Sequence, residues 1–271
     1  MVWVLIERLL DLIAWCIAHV RINRVLFETT DGREYVRKQR STFGWILILI
    51  GNIVFRFRPV PLQVLSLRTW LDWEKRVQTS YGIALPKRLG RGLLMPKAHG
   101  CLLSDALSKL TDEAAHVELL SGTLAELYRL HQFEIEMGTE DDPQSVSLSH
   151  GDASINNVIY DASTNSACWF DFDLRHDLRL SADFRHADDL RAFLFTAVPS
   201  LTCESCSEDA IRRLLESLRN AYPCEATWES LNEILNSRWF AVDVFHRAQM
   251  FRSKASRDVK VERLLKDALA N

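Results

Sequence analysis

Apolar residues are concentrated in a few segments of the chain, and the first of these has helical periodicity. Residues 1–20 are apolar apart from Glu7, Arg8 and Asp11, which fall on one side of a helix. This pattern predicts an amphipathic helix. A signal peptide would open with basic residues and lack acids in its apolar part, and a transmembrane helix would exclude these three charges.

Two short runs with strand character come next, Arg24–Glu28 and Glu34–Gln39, with an Asp-Gly pair between them. Asp-Gly between two such runs is a strong hairpin signal. In the second run, Val36 and Lys38 share a face because side chains alternate along a strand. The sequence therefore predicts a β-hairpin that carries a lysine.

Residues 43–55 are the most hydrophobic stretch, and arginines and a lysine flank it. A helix of this length rises about 20 Å, which is too short to cross a hydrocarbon core of roughly 30 Å. The stretch is therefore either a buried helix or a segment in a membrane interface, with Trp45 at headgroup level. If residues 1–20 lie on the same side, the two segments form one apolar patch.

Further along, Leu67–Ser80 has apolar residues at helical spacings, and residues 87–107 have the pattern of two strands and a helix start. An amphipathic helix is predicted from Asp112 to about Phe133, and residues 207–271 have a helical pattern. Glu134–Ser145 is acidic with glycine and proline, which predicts a surface loop. The fold class is thus α+β, with the strands concentrated in the N-terminal part.

Polar residues surround two short apolar runs, Asn157–Tyr160 and Ala167–Phe170, and turn formers separate the runs. This pattern predicts a hairpin. A hairpin folds its ends together, so Asp152 and Asn157 before the first strand should lie near Asp171 after the second. Two carboxylates and an amide oxygen suit Mg²⁺, and such a site can position a hydroxyl for attack on phosphorus.

Composition narrows the possible partners. The chain has 271 residues, 48% of them hydrophobic and 25% charged, with a net charge of −3. The charge gives no reason to expect a nucleic-acid partner. The six cysteines are irregularly spaced, which fits reduced thiols in a cytoplasmic protein. Cys203 and Cys206 alone have a metal-like or redox-like spacing, and a zinc site would need two more ligands.

The polar motif resembles a motif of a known protein family. His150-Gly151-Asp152, with Asn157 five residues on and Asp171-Phe172-Asp173 beyond, resembles the catalytic and metal-binding loops of protein-kinase-like phosphotransferases. The Gly-Asp form is similar to aminoglycoside and choline kinases. The Asp-Phe-Asp form with arginine close behind is similar to kinases of lipopolysaccharide core sugars.

The resemblance implies a role for each motif residue. Asp152 would be the catalytic base that accepts the proton of the substrate hydroxyl, and Asn157 and Asp171 would hold Mg²⁺ between the phosphates of ATP. Lys38 would contact the α- and β-phosphates, held by an ion pair with Glu74. Asp72 is a competing candidate for that pairing.

The resemblance implies roles for further residues. The adenine would lie against a hinge at Leu94 and Met95, and His150 and Asp189 would support the catalytic loop, with Asp188 as the alternative buttress. Arg175, His176 and Arg179 would face an anionic acceptor, unless they form a solvated charged loop. Within the amphipathic helix, His131 is interpreted as a packed structural histidine rather than a ligand.

The chain also departs from the family pattern. There is no glycine before Gly32, so the glycine-rich loop that normally covers the phosphates is missing. An Ala-Pro-Glu motif after the metal-binding loop is missing as well, which favours a small-molecule or glycan acceptor over a protein. We therefore expect either another backbone turn over the phosphates or impaired nucleotide binding.

The resemblance, together with the element pattern, implies a two-lobed, protein-kinase-like α+β fold, with a β-rich N-lobe over residues 1–95 and a helical C-lobe over residues 96–271. The expected function is ATP- and Mg²⁺-dependent phosphorylation of a hydroxyl on a small molecule or a lipopolysaccharide-type glycan. The expected location is the cytoplasm, with the inner membrane surface as the place where a lipid-linked acceptor is met. The alternatives are a catalytically silent, membrane-associated binding module and an aminoglycoside-type or protein kinase.

Overall fold

The computed structural model of the chain describes residues 2–19, 23–41, 44–81, 86–139, 142–201, 208–252, 263 and 265–268. Cys203 and Cys206 lie outside these ranges. The helices are α1 (Val2–His19), α2 (Gly44–Phe55), α3 (Leu67–Tyr81), α4 (Leu103–Leu107), α5 (Glu113–His131), α6 (Ala182–Ala197), α7 (Glu208–Ala221), α8 (Glu225–Asn236) and α9 (Val244–Arg252). The strands are β1 (Asn23–Thr30), β2 (Arg33–Arg40), β3 (Leu62–Val64), β4 (Lys87–Leu89), β5 (Gly92–Pro96), β6 (Cys101–Leu102), β7 (Glu134–Thr139), β8 (Asp142–Ser147), β9 (Val158–Asp161), β10 (Ser166–Trp169) and β11 (Leu174–His176).

The N-terminal part is built on an antiparallel sheet with strand order β1-β2-β5-β4. The predicted hairpin is confirmed: β1 and β2 pair along their whole length, with Val25 opposite Lys38. At the turn, Asp31 and Gly32 have φ values of 52° and 71°. Positive φ at both central residues is the signature of the tight turn that Asp-Gly favours. The turn therefore fixes the register that places Lys38 inside the sheet.

Strand β5 lies between β2 and β4, so both of its edges are hydrogen-bonded. Leu94 and Met95, predicted to lie at a hinge, fall within this strand, opposite Arg37 and Val36. The amide of Lys97 donates to the Glu34 carbonyl at 3.0 Å, which extends the pairing past Pro96. The chain thus leaves this sheet after Lys97, and the assignment of Leu94 and Met95 to a hinge stays a prediction.

Helix α2 confirms the predicted helical state of residues 43–55 as far as these are described. Two hydrogen bonds join Asn52 of α2 to Val64 of β3. Val64 N donates to Asn52 Oδ1 at 2.6 Å, and Asn52 Nδ2 donates to the Val64 carbonyl at 3.2 Å. Strand β3 in turn pairs with β11, which follows the candidate metal-binding residues. The apolar helix is thereby tied to the strand beside the candidate site.

The segment predicted as a surface loop at Glu134–Ser145 is instead part of the β7–β8 hairpin. Ile135 pairs with Val146, and its side chain is buried in the main core. Burial of one face of the hairpin outweighs the poor strand propensity of its acidic residues. The prediction of a loop was therefore wrong.

The C-terminal part is helical and centres on α6, whose residues from Arg185 to Ala197 are all buried. One apolar cluster runs from Trp70 and Val77 of α3 through Leu124 of α5 to Phe193 of α6. The predicted α+β class, with a small β-rich N-terminal part and a helical C-terminal part, is confirmed. The boundary between residues 95 and 96 stays a prediction.

Helices α1 and α2 both pack on α9. Ala14 of α1 contacts Val244 and Ala248 of α9, and Arg247 Nη1 pairs with Asp11 Oδ1 at 2.7 Å. Val54 of α2 packs against the same cluster. We call α1 and α2 together the apolar helix pair. Among the described residues, no helix is both long and apolar enough to cross a membrane.

Gly92 tests how closely β5 approaches the strand that carries Lys38. A Cβ at position 92 would lie 2.1 Å from the Lys38 carbonyl oxygen, so Gly92→Ala forces the strands apart. We expect it to lower the free energy of unfolding in urea by about 2 kcal/mol or more. Gly122→Ala is the matched control: position 122 is an exposed site of helix α5 with open space around it, and the change should stabilise the protein by roughly 0.5–1 kcal/mol. Equal effects would contradict the described strand approach.

Candidate active site

The hairpin predicted around the polar motif is present as β9 and β10, with Val158 opposite Trp169. The pairing continues beyond the strands, since Phe170 N donates to the Asn157 carbonyl at 3.1 Å. Asn157 Nδ2 donates to the Asp152 carbonyl at 2.8 Å. One chain of hydrogen bonds therefore links the loop at Asp152 to Asn157 and then to the residue that precedes Asp171.

Asp171 has a backbone φ of 73°, a left-handed conformation that is uncommon outside glycine. Such a conformation costs on the order of 1 kcal/mol and concentrates at functional sites. The carboxylate Oδ1 accepts from Lys38 Nζ at 2.7 Å. Burial by itself would raise the pKa of Asp171, but the attraction of Lys38 outweighs it and lowers that pKa.

Lys38 is 4% exposed. Burial by itself would lower its pKa, yet Asp171 and then Glu74 attract the ammonium strongly enough to raise it. The lysine is therefore held charged inside the protein. Its position beside Asp171 places one cation next to the predicted metal ligand.

Glu74 departs from its predicted role as the direct partner of Lys38, because the lysine contacts Asp171 instead. The Glu74 carboxylate accepts from Trp70 Nε1 at 3.2 Å and from Gln78 Nε2 at 3.1 Å. It is buried, whereas Asp72, the competing candidate, is exposed. Burial raises the pKa of Glu74 to about 7, although Lys38 opposes the rise.

Asp173 is held by partners that the sequence did not indicate. Its Oδ2 accepts from Asn23 Nδ2 at 2.9 Å and from Arg40 Nη1 at 3.3 Å. Arg40 also stacks over the Trp70 ring, with 4.4 Å from its guanidinium carbon to the centroid. Burial, reinforced by Asp171, raises the pKa of Asp173 to about 6.

The loop at residues 150–152 is fixed from α6. Asp189 accepts from the backbone amides of His150 at 2.6 Å and Gly151 at 2.8 Å. Burial alone would raise the pKa of Asp189, but the neighbouring histidines lower it to about 2. This is the geometry that the resemblance predicts for the buttress, and it favours Asp189 over Asp188.

His150 is buried and connects the two halves of the site. The Asp152 amide donates to its Nδ1 at 3.2 Å, so Nε2 carries the proton and donates to the Phe170 carbonyl at 2.8 Å. Desolvation by burial lowers the pKa of His150, which keeps the ring neutral. The ring therefore ties the loop before the hairpin to the chain just before Asp171.

His131 lies behind the same loop, in agreement with the prediction of a packed histidine. Its Nε2 contacts Asp189 Oδ2 at 3.1 Å, and its Nδ1 contacts the Tyr222 hydroxyl at 2.7 Å. The ring stacks on His186 with centroids 3.9 Å apart. Burial lowers the pKa of His186 to about 2, so the stacked pair carries little like-charge repulsion.

Asp188 holds a second buried group of charges. Its carboxylate accepts from Arg58 at 2.9 Å, from Arg191 at 2.8 Å and from His176 at 3.2 Å. Arg58 also contacts Asp243, which precedes α9. A buried arginine flanked by carboxylates on both sides anchors three separate parts of the chain.

The placement of the predicted acceptor contacts is mixed. His176 is buried, with its ring nitrogens on Ser149 and Asp188, so it faces the interior and the prediction of an acceptor contact does not fit. Arg175 bonds Gln63 and lies over Trp73. The side chain of Arg179 is 89% exposed and pairs with its near neighbour Asp177. The contacts described for Arg175 and Arg179 do not orient either side chain toward Asp152.

Among the described residues, no group of three or more His, Cys, Asp and Glu side chains has a metal-binding arrangement. The candidate donors are instead one carboxylate, Asp171, and one amide oxygen. Asn157 uses its nitrogen on the Asp152 carbonyl, which leaves the amide oxygen as the end turned away from that contact. Mg²⁺ is commonly bound by one or two protein oxygens together with waters and substrate phosphates, so these donors fit it.

The surroundings of Asp152 include a residue that no sequence motif indicates. Gln249 of α9 donates from Nε2 to Asp152 Oδ1 at 2.6 Å. Gln249 lies 97 residues from Asp152, so no local sequence pattern connects Gln249 with Asp152.

Among the predicted adenine contacts, Met95 faces α3, where its sulfur accepts from Gln78 at 3.4 Å.

Comparison with known proteins identified no matching family model and no matching curated protein. A solved structure of an ethanolamine kinase from Plasmodium vivax aligns over 88% of this chain and 80% of that chain, with 11% sequence identity and a TM-score of 0.42.

Glu74 provides a test of the site's electrostatics. Its folded-state pKa of about 7 lies above the ordinary value of 4.5, so stability is lost as pH rises between these values. Glu74→Gln removes this loss. We expect the unfolding free energy of the variant, relative to the native chain, to increase by on the order of 3 kcal/mol from pH 4.5 to pH 8. Chemical denaturation across this pH range measures the unfolding free energies, and Glu118→Gln, at an exposed position, serves as control. A difference between Glu74→Gln and the native chain that does not change with pH would contradict the raised pKa of Glu74.

Proposed function

We propose that the chain is an ATP- and Mg²⁺-dependent phosphotransferase that acts on a hydroxyl of a small molecule or glycan. The observation that supports this most directly is the convergence of Asp152, Asn157 and Asp171 at the ends of one hairpin, with Lys38 on Asp171. Positioning and charge neutralisation account for most of the catalysis in phosphoryl transfer.

Each of these residues has one task in the proposed reaction. The acceptor oxygen bonds to the γ-phosphorus as the bond from that phosphorus to the bridging oxygen breaks; ADP leaves with the electron pair, and the hydroxyl proton passes to Asp152. Lys38 is the cation that aligns the α- and β-phosphates. Asn157 and Asp171 are the residues that would hold Mg²⁺, whose contribution when bound is to neutralise phosphate charge.

The site also needs an electrostatic rearrangement. Lys38 is paired with Asp171, which is the proposed metal ligand. With a metal on Asp171, Lys38 would be released from that partner and could reach the phosphates, and Glu74 would still attract it. Release of Lys38 from Asp171 would lower the pKa of Glu74. The predicted Lys38–Glu74 pair would then form only when nucleotide and metal are bound.

We further propose that the apolar helix pair meets a membrane surface, where the acceptor is lipid-linked. The outward side chains Leu9 and Leu12 of α1 and Trp45, Leu49 and Ile53 of α2 are exposed. Arg8 within α1, Arg24 after α1 and Arg56 directly after α2 are exposed too. Exposed apolar residues with tryptophan and arginine at the margin are typical of helices that lie in an interface.

Nucleotide binding is the first test of the proposed function. A ligand that binds the native state raises its stability by mass action, so millimolar Mg·ATP should raise the melting temperature by several degrees. Asp171→Asn should reduce this shift, because the metal loses its carboxylate. Asp152→Asn should keep the shift yet lower phosphate transfer by roughly 10²-fold or more. Differential scanning fluorimetry and labelled ATP measure the two effects.

Asp161→Asn is the matched control, since this aspartate lies on the same hairpin but at its far turn, where it accepts from Ser163; its Mg·ATP shift should equal that of the native chain. A native chain that Mg·ATP fails to stabilise would favour the silent binding module. A shift without any Asp152-dependent transfer would point to nucleotide binding alone.

Membrane contact is tested by liposome flotation. The native chain should float with vesicles that contain anionic lipid, and Leu49→Glu with Ile53→Glu should reduce the floating fraction at least fivefold, because two charges enter the apolar face. Both side chains are more than half exposed, so the fold should persist. Leu89→Glu, at an exposed site on β4, is the control. Equal flotation of the two variants would contradict docking through the apolar helix pair.

A further inference from the structure

Helix α9 brings an amide side chain into direct contact with the candidate base. Gln249 Nε2 lies 2.6 Å from Asp152 Oδ1, and Gln249 and Asp152 are 2% and 7% exposed. A carboxylate accepts hydrogen bonds, so the end of the amide that faces it must be the nitrogen. The contact therefore fixes the orientation of the whole amide group.

The other end of that amide, Oε1, is buried and has no hydrogen-bond partner among the described residues. A buried acceptor without a partner costs about 1–3 kcal/mol, and native structures keep few of them. Here the acceptor lies on the same amide group that contacts Asp152. Its position, next to the atom that would take the proton of the reacting hydroxyl, suits a donor carried by the substrate.

The rest of α9 does not account for the amide. Val244 and Ala248 pack on α1, and Phe245 packs on Phe55 of α2 with ring centroids 4.8 Å apart. These contacts are apolar and hold the helix without any contribution from Gln249. An apolar residue at position 249 would pack equally well without a buried, unpartnered oxygen. The presence of Gln249 Oε1 therefore indicates a hydrogen-bonding role that helix packing does not supply.

Resting on the proposed phosphotransferase function, we propose that Gln249 binds the acceptor and selects one that carries two vicinal hydroxyls, as sugars do. One hydroxyl faces Asp152, gives up its proton there and receives the phosphoryl group. The neighbouring hydroxyl keeps its proton and donates a hydrogen bond to Gln249 Oε1. A monohydroxyl acceptor would leave Oε1 without a partner, and sites built to bond a hydroxyl discriminate strongly against analogues that lack it.

Both residues are nearly closed to solvent, so the acceptor reaches them when the last turn of α9 shifts. The closed arrangement has a chemical benefit. It keeps bulk water away from Asp152, which limits wasteful hydrolysis of the nucleotide. Binding of a diol would add two hydrogen bonds, one to each residue, while Gln249 Nε2 keeps its contact with Asp152.

The test uses two matched probes, a vicinal cyclohexanediol and cyclohexanol, which differ by one hydroxyl. Transfer of labelled γ-phosphate and ligand-observed NMR binding are measured for each. The native chain should favour the diol about tenfold or more in kcat/KM and in binding. Gln249→Met, which fills a similar volume without the oxygen, should abolish that preference while the KM for ATP stays unchanged.

Met250→Leu, one residue further along α9, controls for altered helix packing and should keep the diol preference. If Gln249→Met does not fold, Gln249→Leu takes its place. A diol preference that survives removal of Gln249, or no preference in the native chain, overturns the inference. So does failure to use either probe when Mg·ATP stabilises the chain. Absence of Mg·ATP stabilisation instead refutes the proposed function itself.

Discussion

The arrangement of the site depends on the carboxylates of two successive residues in the first half of α6. Asp189 binds the amides of the loop before the hairpin, while Asp188 binds Arg58 and His176 from other parts of the chain and Arg191 one turn further along α6. Burial of two adjacent anions is unfavourable unless donors surround each one. Here each carboxylate has at least three donors within hydrogen-bonding distance, and in both cases the donors lower the pKa. Removal of one donor would leave a buried charge without compensation, so the surrounding elements are fixed together.

Short-range signals were enough to predict much of the architecture. Asp-Gly at 31–32 and the turn formers at 161–166 gave both hairpins correctly, because tight turns fix strand register locally. The α3 periodicity and the amphipathic pattern of α5 likewise predicted helices that are present. The β7–β8 hairpin was missed because its strand character comes from burial of Ile135 against the core, a tertiary effect that propensity does not include.

Within the candidate site, the sequence predicted which residues come together but not how their charges pair. The motif spacing placed Asp152, Asn157 and Asp171 on one hairpin, and the structure links them by hydrogen bonds. It could not show that Lys38 contacts Asp171 while Glu74 accepts from Trp70 and Gln78, since these choices depend on distances of a few ångströms between separate elements. The contacts of Gln249 and Arg58 could not be predicted for a related reason, because their partners lie 97 and 130 or more residues away along the chain.

The pairing of Arg58 with Asp243 also bears on how the chain folds during synthesis. These residues are 185 positions apart, and both are buried. A ribosome delivers Arg58 long before Asp243, so the nascent N-terminal part must keep that guanidinium hydrated until α9 emerges. Closure of such a long loop is entropically costly and slow. We therefore expect the β-rich part to acquire its lasting shape only once α9 is available, rather than as an early, independent unit.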